Sequence, residues 1–210
     1  MIVHIRYIYY NNIYGYNDNS DGGVVGIESH DSEILGNIID IIGAENNMCT
    51  AIFAHNSVIT DNTLDVEQFS ECGIGEFSPY ALYSNGSSDN SSLIEGNTIT
   101  TGGCSSGINI SFANVVNNSL LFSDFGIWVG SNSVIENNSI ISNNISIQSN
   151  TNNVDSLVIT NNIITSNSTA INLSNSDVLI SYNLIESQGR GIEMSNQSDG
   201  EIINNTIVSP

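Results

Sequence analysis

Three histidines and two arginines are all the positively chargeable side chains in this 210-residue chain, which has no lysine. His4, Arg6, His30 and His55 fall near the start, with Glu28 among them, and Arg190 stands far away. Imidazoles beside a carboxylate are the parts of general acid–base chemistry, because histidine titrates near neutral pH and a carboxylate can orient it. A second set, Phe53, Tyr83 and Trp128 with Asn109, has the chemistry of a binding surface. Flat apolar rings suit the C–H faces of sugars, and an amide suits their hydroxyls. A third set is Asn17, Asn19 and Asp21, followed by Gly22 and Glu28, which has the spacing of a calcium loop, D-x-[DN]-x-[DN]-G-x5-E. Asn replaces the first Asp, and Glu28 cannot easily serve both this loop and an outward strand site. A plain polar turn is therefore the competing account of these residues.

What must position these groups is a repeat. The phrase Ile-x-x-Asn-x-Ile, with Val or Leu allowed for Ile, recurs around Asn37, Asn62, Asn97, Asn118, Asn138, Asn162, Asn183 and Asn205. A weaker first copy is centred on Asn12, flanked by Tyr9 and Tyr14. A second phrase lies between these copies: a small residue, Ile, any residue, then an apolar one. Gly107–Ile110, Gly126–Val129, Ala170–Leu173 and Gly191–Met194 follow it, and Asn144–Ile147 is similar. Both phrases alternate apolar and polar with period two, the pattern of a half-buried strand. One such unit cannot bury its apolar side alone, whereas units stacked in register bury a continuous Ile/Val/Leu column. The recurring Asn suits a tight bend near the left-handed region and can form an amide ladder along the stack. A β-sandwich also gives short alternating strands, but it supplies no reason for Asn to return at one phase.

These phrases resemble the right-handed parallel β-helix repeat family, whose members include pectate-lyase-like enzymes and many bacterial and archaeal surface proteins. The resemblance covers nearly the whole chain. It implies an all-β right-handed parallel β-helix, a solenoid of about nine coils, as a single domain over residues 1–210. The unit between Asn62 and Asn97 is the longest, so a loop insertion is expected around 65–92. No polar cap is visible at either end, so a fragment of a longer protein, or end-to-end packing with further coils, is expected.

On such a scaffold, the outward positions form ladders about 4.8 Å apart. Read coil by coil, one ladder is Glu28, Phe53, Tyr83, Asn109, Trp128, Ser146, Asn172 and Glu193. The ladder beside it is His30, His55, Asn85, Ser111, Gly130, Gln148, Ser174 and Ser195. The first ladder makes Phe53, Tyr83, Asn109 and Trp128 a candidate glycan track, unless the inserted loop covers the rings as a satellite core. Aligning residues 3–6 with 27–30 sets His4 beside Glu28 and Arg6 beside His30. His30, His55, Arg6 and Glu28 are then the candidate catalytic patch, and the two histidines can share a proton or a metal. In β-helix lyases a basic residue removes the proton beside a uronate carboxylate, and Arg6 is the candidate here. The Asp-Pro-His element of alginate epimerases and the Gly-His-Gly and Arg-Ile-Lys elements of polygalacturonases are absent.

Charge narrows the partners. Twenty-two acids give a net charge of −20, which excludes nucleic acid for want of a basic patch and disfavours anionic membranes and polyuronates. No apolar run is long enough for a spanning helix, and the first residues do not read as a secretory signal. Cys49, Cys72 and Cys104 leave the redox compartment open. The expected role is a non-catalytic secreted or cell-surface module that binds a glycan or another surface polymer, or adheres. The extracellular location is implied by the resemblance. A polysaccharide lyase or glycoside hydrolase, and a purely structural spacer, are the alternatives. No cofactor is required, and the acidic surface admits Ca2+.

Overall fold

The computed structural model of the chain describes residues 7–17, 23–43, 49–68, 80–103, 106–149 and 154–210. Short strands, and no helix among the described residues, wind through three parallel sheets. Every third strand returns to the same sheet. The first sheet runs from Tyr7–Tyr9 to Asp199–Ile203 in nine strands, the second from Asn12–Asn17 to Thr206–Val208 in nine, and the third from Val24–His30 to Ile192–Ser195 in eight. This is a parallel β-helix. About seven turns have neighbours on both sides, slightly fewer than the nine coils expected, because the rungs at either extreme are stacked on one side only.

The apolar columns are in strict register. Ile34, Ile59, Ile94, Val115, Ile135, Ile159 and Ile180 line the first sheet, one per rung, and all are fully buried. Ile39, Leu64, Ile99, Leu120, Ile140, Ile164 and Ile185 do the same in the second. Burying each such side chain contributes roughly 1.5–3 kcal/mol before chain entropy is charged against it. At the last rung the same columns end on Ile202 and Ile207, which are 50% and 44% exposed. Phe122 is the largest side chain in this interior, and Gly107 makes room for it: a Cβ there would lie 2.2 Å from the Phe122 ring.

The recurring asparagines form one buried amide column. Asn138 shows the pattern: its Oδ1 accepts from the backbone N–H of Asn118 at 2.9 Å and from the Asn118 amide at 3.0 Å. Its own Nδ2 donates to Val115 O at 2.8 Å, Glu136 O at 2.9 Å and Asn162 Oδ1 at 3.0 Å. Every donor and acceptor of the amide is thereby used, which is what makes a polar column tolerable in the interior.

Two expectations need correction. The left-handed residue is the one before the recurring Asn, at Tyr10, Gly36, Asp61, Gly96, Asn117, Asn137, Asn161, Tyr182 and Asn204. The recurring Asn itself is the buried amide, not the bend. The first copy is centred on Asn11, not Asn12, since Asn11 bonds to Asn37 Oδ1 and Ile8 and Ile13 pack against the core. A one-residue slip exchanges the faces of a strand, so Tyr9 and Tyr14 point outward. A second polar column was not anticipated: Ser57 Oγ accepts from Ser32 N, Ser92 Oγ from Ser57 N, and Ser133 Oγ from Ala113 N, at the corner entering the first sheet.

Within the expected insertion at 65–92, residues 65–68 close the strand Thr63–Gln68, and Tyr80–Asn85 is the strand that continues the third sheet. Residues 69–79, with Cys72, lie outside the described residues, as does Cys104. Cys49 is a buried free thiol, and burial pushes its pKa up.

Candidate functional site

The third sheet gathers most of the sequence-predicted site residues. Its strands pair so that Glu28, Phe53, Tyr83, Asn109, Trp128, Gln148, Asn172 and Glu193 stand in one register, rung after rung. The row differs from expectation at one place. Gln148, not Ser146, follows Trp128, because Ile147 pairs with Ile127. Ser146 is buried and takes the small-residue position of Gly126; its Oγ lies 2.8 Å from Ser142 Oγ. The slip is two residues, so it preserves the in–out alternation and left no trace in the hydropathy pattern.

Phe53 and Tyr83 stack on each other, with ring centroids 4.6 Å apart and planes 6° from parallel. In-register rings on neighbouring rungs are brought together at the rung spacing itself. Their facing surfaces are thus shared between them, and the ring faces expected to lie open to a sugar are partly taken. Trp128 is different. Its rung neighbours are the amides Asn109 and Gln148, and Phe125 tilts against it at 5.9 Å and 57°. Trp128 Nε1 and Gln148 Oε1 are both shielded, and neither has a hydrogen-bond partner among the described residues. An unpaired shielded polar atom costs about 1–3 kcal/mol. Burial raises the Tyr80 pKa, against a smaller opposing pull from Asn109. Asn85 Nδ2 donates to the Tyr83 hydroxyl at 2.6 Å.

Beside the row stand His30 and His55, paired across adjacent strands and stacked at 4.6 Å with planes 16° apart. His55 also meets Phe53 and Tyr83 edge-on, at 5.2 and 5.8 Å. Desolvation, then the neighbouring His30, hold the His55 pKa below its usual value, against a smaller opposing pull from Glu28. A neutral imidazole of this kind can accept a proton. The candidate catalytic residues His30, His55 and Glu28 and the candidate binding residues Phe53 and Tyr83 are therefore one neighbourhood. Arg6 and His4 lie outside the described residues. Of the proposed calcium loop, Asn19 and Asp21 also lie outside them, while the Asn17 backbone ends the strand Asn12–Asn17 opposite Gly43. Among the described residues, no three or more His, Cys, Asp or Glu side chains gather as a metal site.

Sequence reasoning missed an aromatic surface at the first rungs. Tyr7, Tyr9, Tyr10, Tyr14 and Tyr16 are all exposed, the last two at 73% and 71%. The signal was present in Tyr7-Ile8-Tyr9 and Tyr14-Gly15-Tyr16, whose tyrosines alternate with inward residues once the register is set on Asn11.

No protein-family profile and no curated protein matches this chain. Among solved structures, its fold is similar to the crystal structure of the periplasmic alginate epimerase AlgG, with a TM-score of 0.51 and 12% sequence identity. The match covers 88% of this chain and 47% of that one, so the chain spans about half the length of that protein. At this identity the likeness is one of fold.

Proposed function

We propose that this chain is a non-catalytic, secreted or cell-surface module that binds a neutral glycan along the outward row of its third sheet. The observation that carries this reading is the character of the row. In a chain of net charge −20, six consecutive rungs present Phe53, Tyr83, Asn109, Trp128, Gln148 and Asn172, all uncharged. Glu28 and Glu193 bound the row, and Glu193 is paired with Arg190. Rings interleaved with amides match the alternating C–H faces and hydroxyls of a sugar chain, and a field this negative disfavours polyuronates. A side-chain turn that opened Trp128 Nε1 and Gln148 Oε1 would let a sugar hydroxyl accept from the one and donate to the other. A location outside the cytoplasm accords with the periplasmic protein of similar fold.

The test is a panel of neutral and uronate polysaccharides, read by array and by calorimetry. Binding to a neutral member, lost in Trp128→Ala and weakened in Gln148→Ala, is the expected result. Binding that survives Trp128→Ala, or that selects uronates, overturns the reading. The His30–His55–Glu28 neighbourhood favours a second reading, carbohydrate catalysis with His55 as base. New reducing or unsaturated ends that appear with the wild type and vanish in His55→Ala would establish it.

A further inference from the structure

We infer that His30 and His55 form a two-imidazole site for a divalent transition-metal ion of the zinc, nickel or copper class, on the outer face of the third sheet. The inference does not depend on the glycan reading. Three observations carry it. First, the two residues are Cα partners on neighbouring parallel strands, Val24–His30 and Cys49–His55, so the backbone fixes their spacing. The rung below the pair is closed by backbone bonds from Asp31 N to His55 O at 2.9 Å and from Asn56 N to Asn85 O at 3.0 Å. Second, the rings are nearly parallel at 4.6 Å. Two nitrogens on one tetrahedral ion, each about 2.0–2.1 Å from it, are roughly 3.4 Å apart. A shared ion must lie near both ring planes, which do not meet in the stack, so the exposed His30 ring turns out of the stack to bring its nitrogen to that separation while His55 stays in place. Third, the surroundings favour a cation. Glu28, on the same strand and face as His30, acts electrostatically on His55.

Imidazole donors choose the metal class. They suit zinc, copper and nickel, whereas calcium and magnesium prefer carboxylate and carbonyl oxygen. The remaining coordination positions would be taken by water, because no third His, Cys, Asp or Glu of the described residues completes the set. Phe53 and Tyr83 press edge-on against His55 and restrict its ring, which lowers the ordering cost of binding.

The experiment titrates the whole chain with nickel or zinc chloride by calorimetry, in millimolar magnesium to occupy surface carboxylates. Expected are one ion per chain and at least a tenfold loss of affinity in His30→Ala and in His55→Ala. Asp177→Asn, on the distant acidic edge of the first sheet, should leave the affinity as it was. His55→Gln guards against a packing defect: a variant that keeps the wild-type circular dichroism and melting profile yet loses the metal supports the site. Absence of stoichiometric binding, equal affinity in both histidine variants and the wild type, or a loss in Asp177→Asn matching theirs would overturn it.

Discussion

Asn138→Ala isolates the amide column. In the wild type the Asn138 side chain joins three rungs, accepting from Asn118 and donating to Val115 O, Glu136 O and Asn162 Oδ1. Truncation leaves the Asn118 backbone N–H without its acceptor in a position that is 3% exposed. That orphaned donor costs about 1–3 kcal/mol, and the weakened carbonyls and the small void bring the total to roughly 2–4 kcal/mol. For a chain of this size the melting temperature should fall by roughly 2–4 °C per kcal/mol. Asn205→Ala is the internal control. Asn205 accepts from the Asn183 backbone and amide at 2.9 Å, but at the part-buried last rung, where water can replace it. It should cost less than about 1 kcal/mol. Asn138→Asp is sharper still: it keeps an acceptor for Asn118 but sets a carboxylate against Val115 O and Glu136 O, and should be worse than alanine at neutral pH. Thermal and urea unfolding followed by circular dichroism measure all three. If Asn138→Ala were no more damaging than Asn205→Ala, the column would not be a source of stability and the reasoning would fail.

Ile140→Asp places an unpaired charge at a fully buried site between Leu120 and Ile164, and should abolish cooperative unfolding or soluble expression; an unchanged melt would contradict the inward assignment. Gly107→Ala sets a methyl against the Phe122 ring and should cost about 1–3 kcal/mol, with Phe122→Leu in the same chain recovering part of it; a neutral Gly107→Ala would refute the packing account. Asp65 faces Asp40 across the second sheet, and desolvation followed by Asp40 and Glu67 raises its pKa. A raised carboxyl pKa means that its stabilising contribution is full below the unfolded value and is lost as pH rises through the folded one. Asp65→Asn should therefore stabilise by a few tenths of a kcal/mol at neutral pH, screened by solvent and salt, with the gain fading in acid melts.

The candidate site was legible in part, and its gaps have physical causes. His30, His55, Phe53, Tyr83, Asn109 and Trp128 could be placed on one sheet face because each follows its inward isoleucine, or its equivalent, at a fixed phase. Gln148 could not, because Ile145-Ser146-Ile147 satisfies the apolar alternation as well as the true Ile147-Gln148-Ser149. Only the length of the preceding corner separates them. The exposed tyrosines were hidden because tyrosine and isoleucine both read as apolar, so the Asn11 and Asn12 registers looked alike.

The sequence by itself determined the architecture: one asparagine per rung, flanked by isoleucines at fixed offsets, admits stacking and little else, since only stacking pairs every amide and buries every apolar column. What only the tertiary structure decided was which faces of the side chains remain available. That Phe53 and Tyr83 spend their facing surfaces on each other, that Trp128 stands between amides, and that two imidazoles lie 4.6 Å apart depends on contacts between rungs 19 to 30 residues apart in the chain. Local periodicity carries no information about such contacts, because they are fixed by how many residues each corner consumes before the next strand begins.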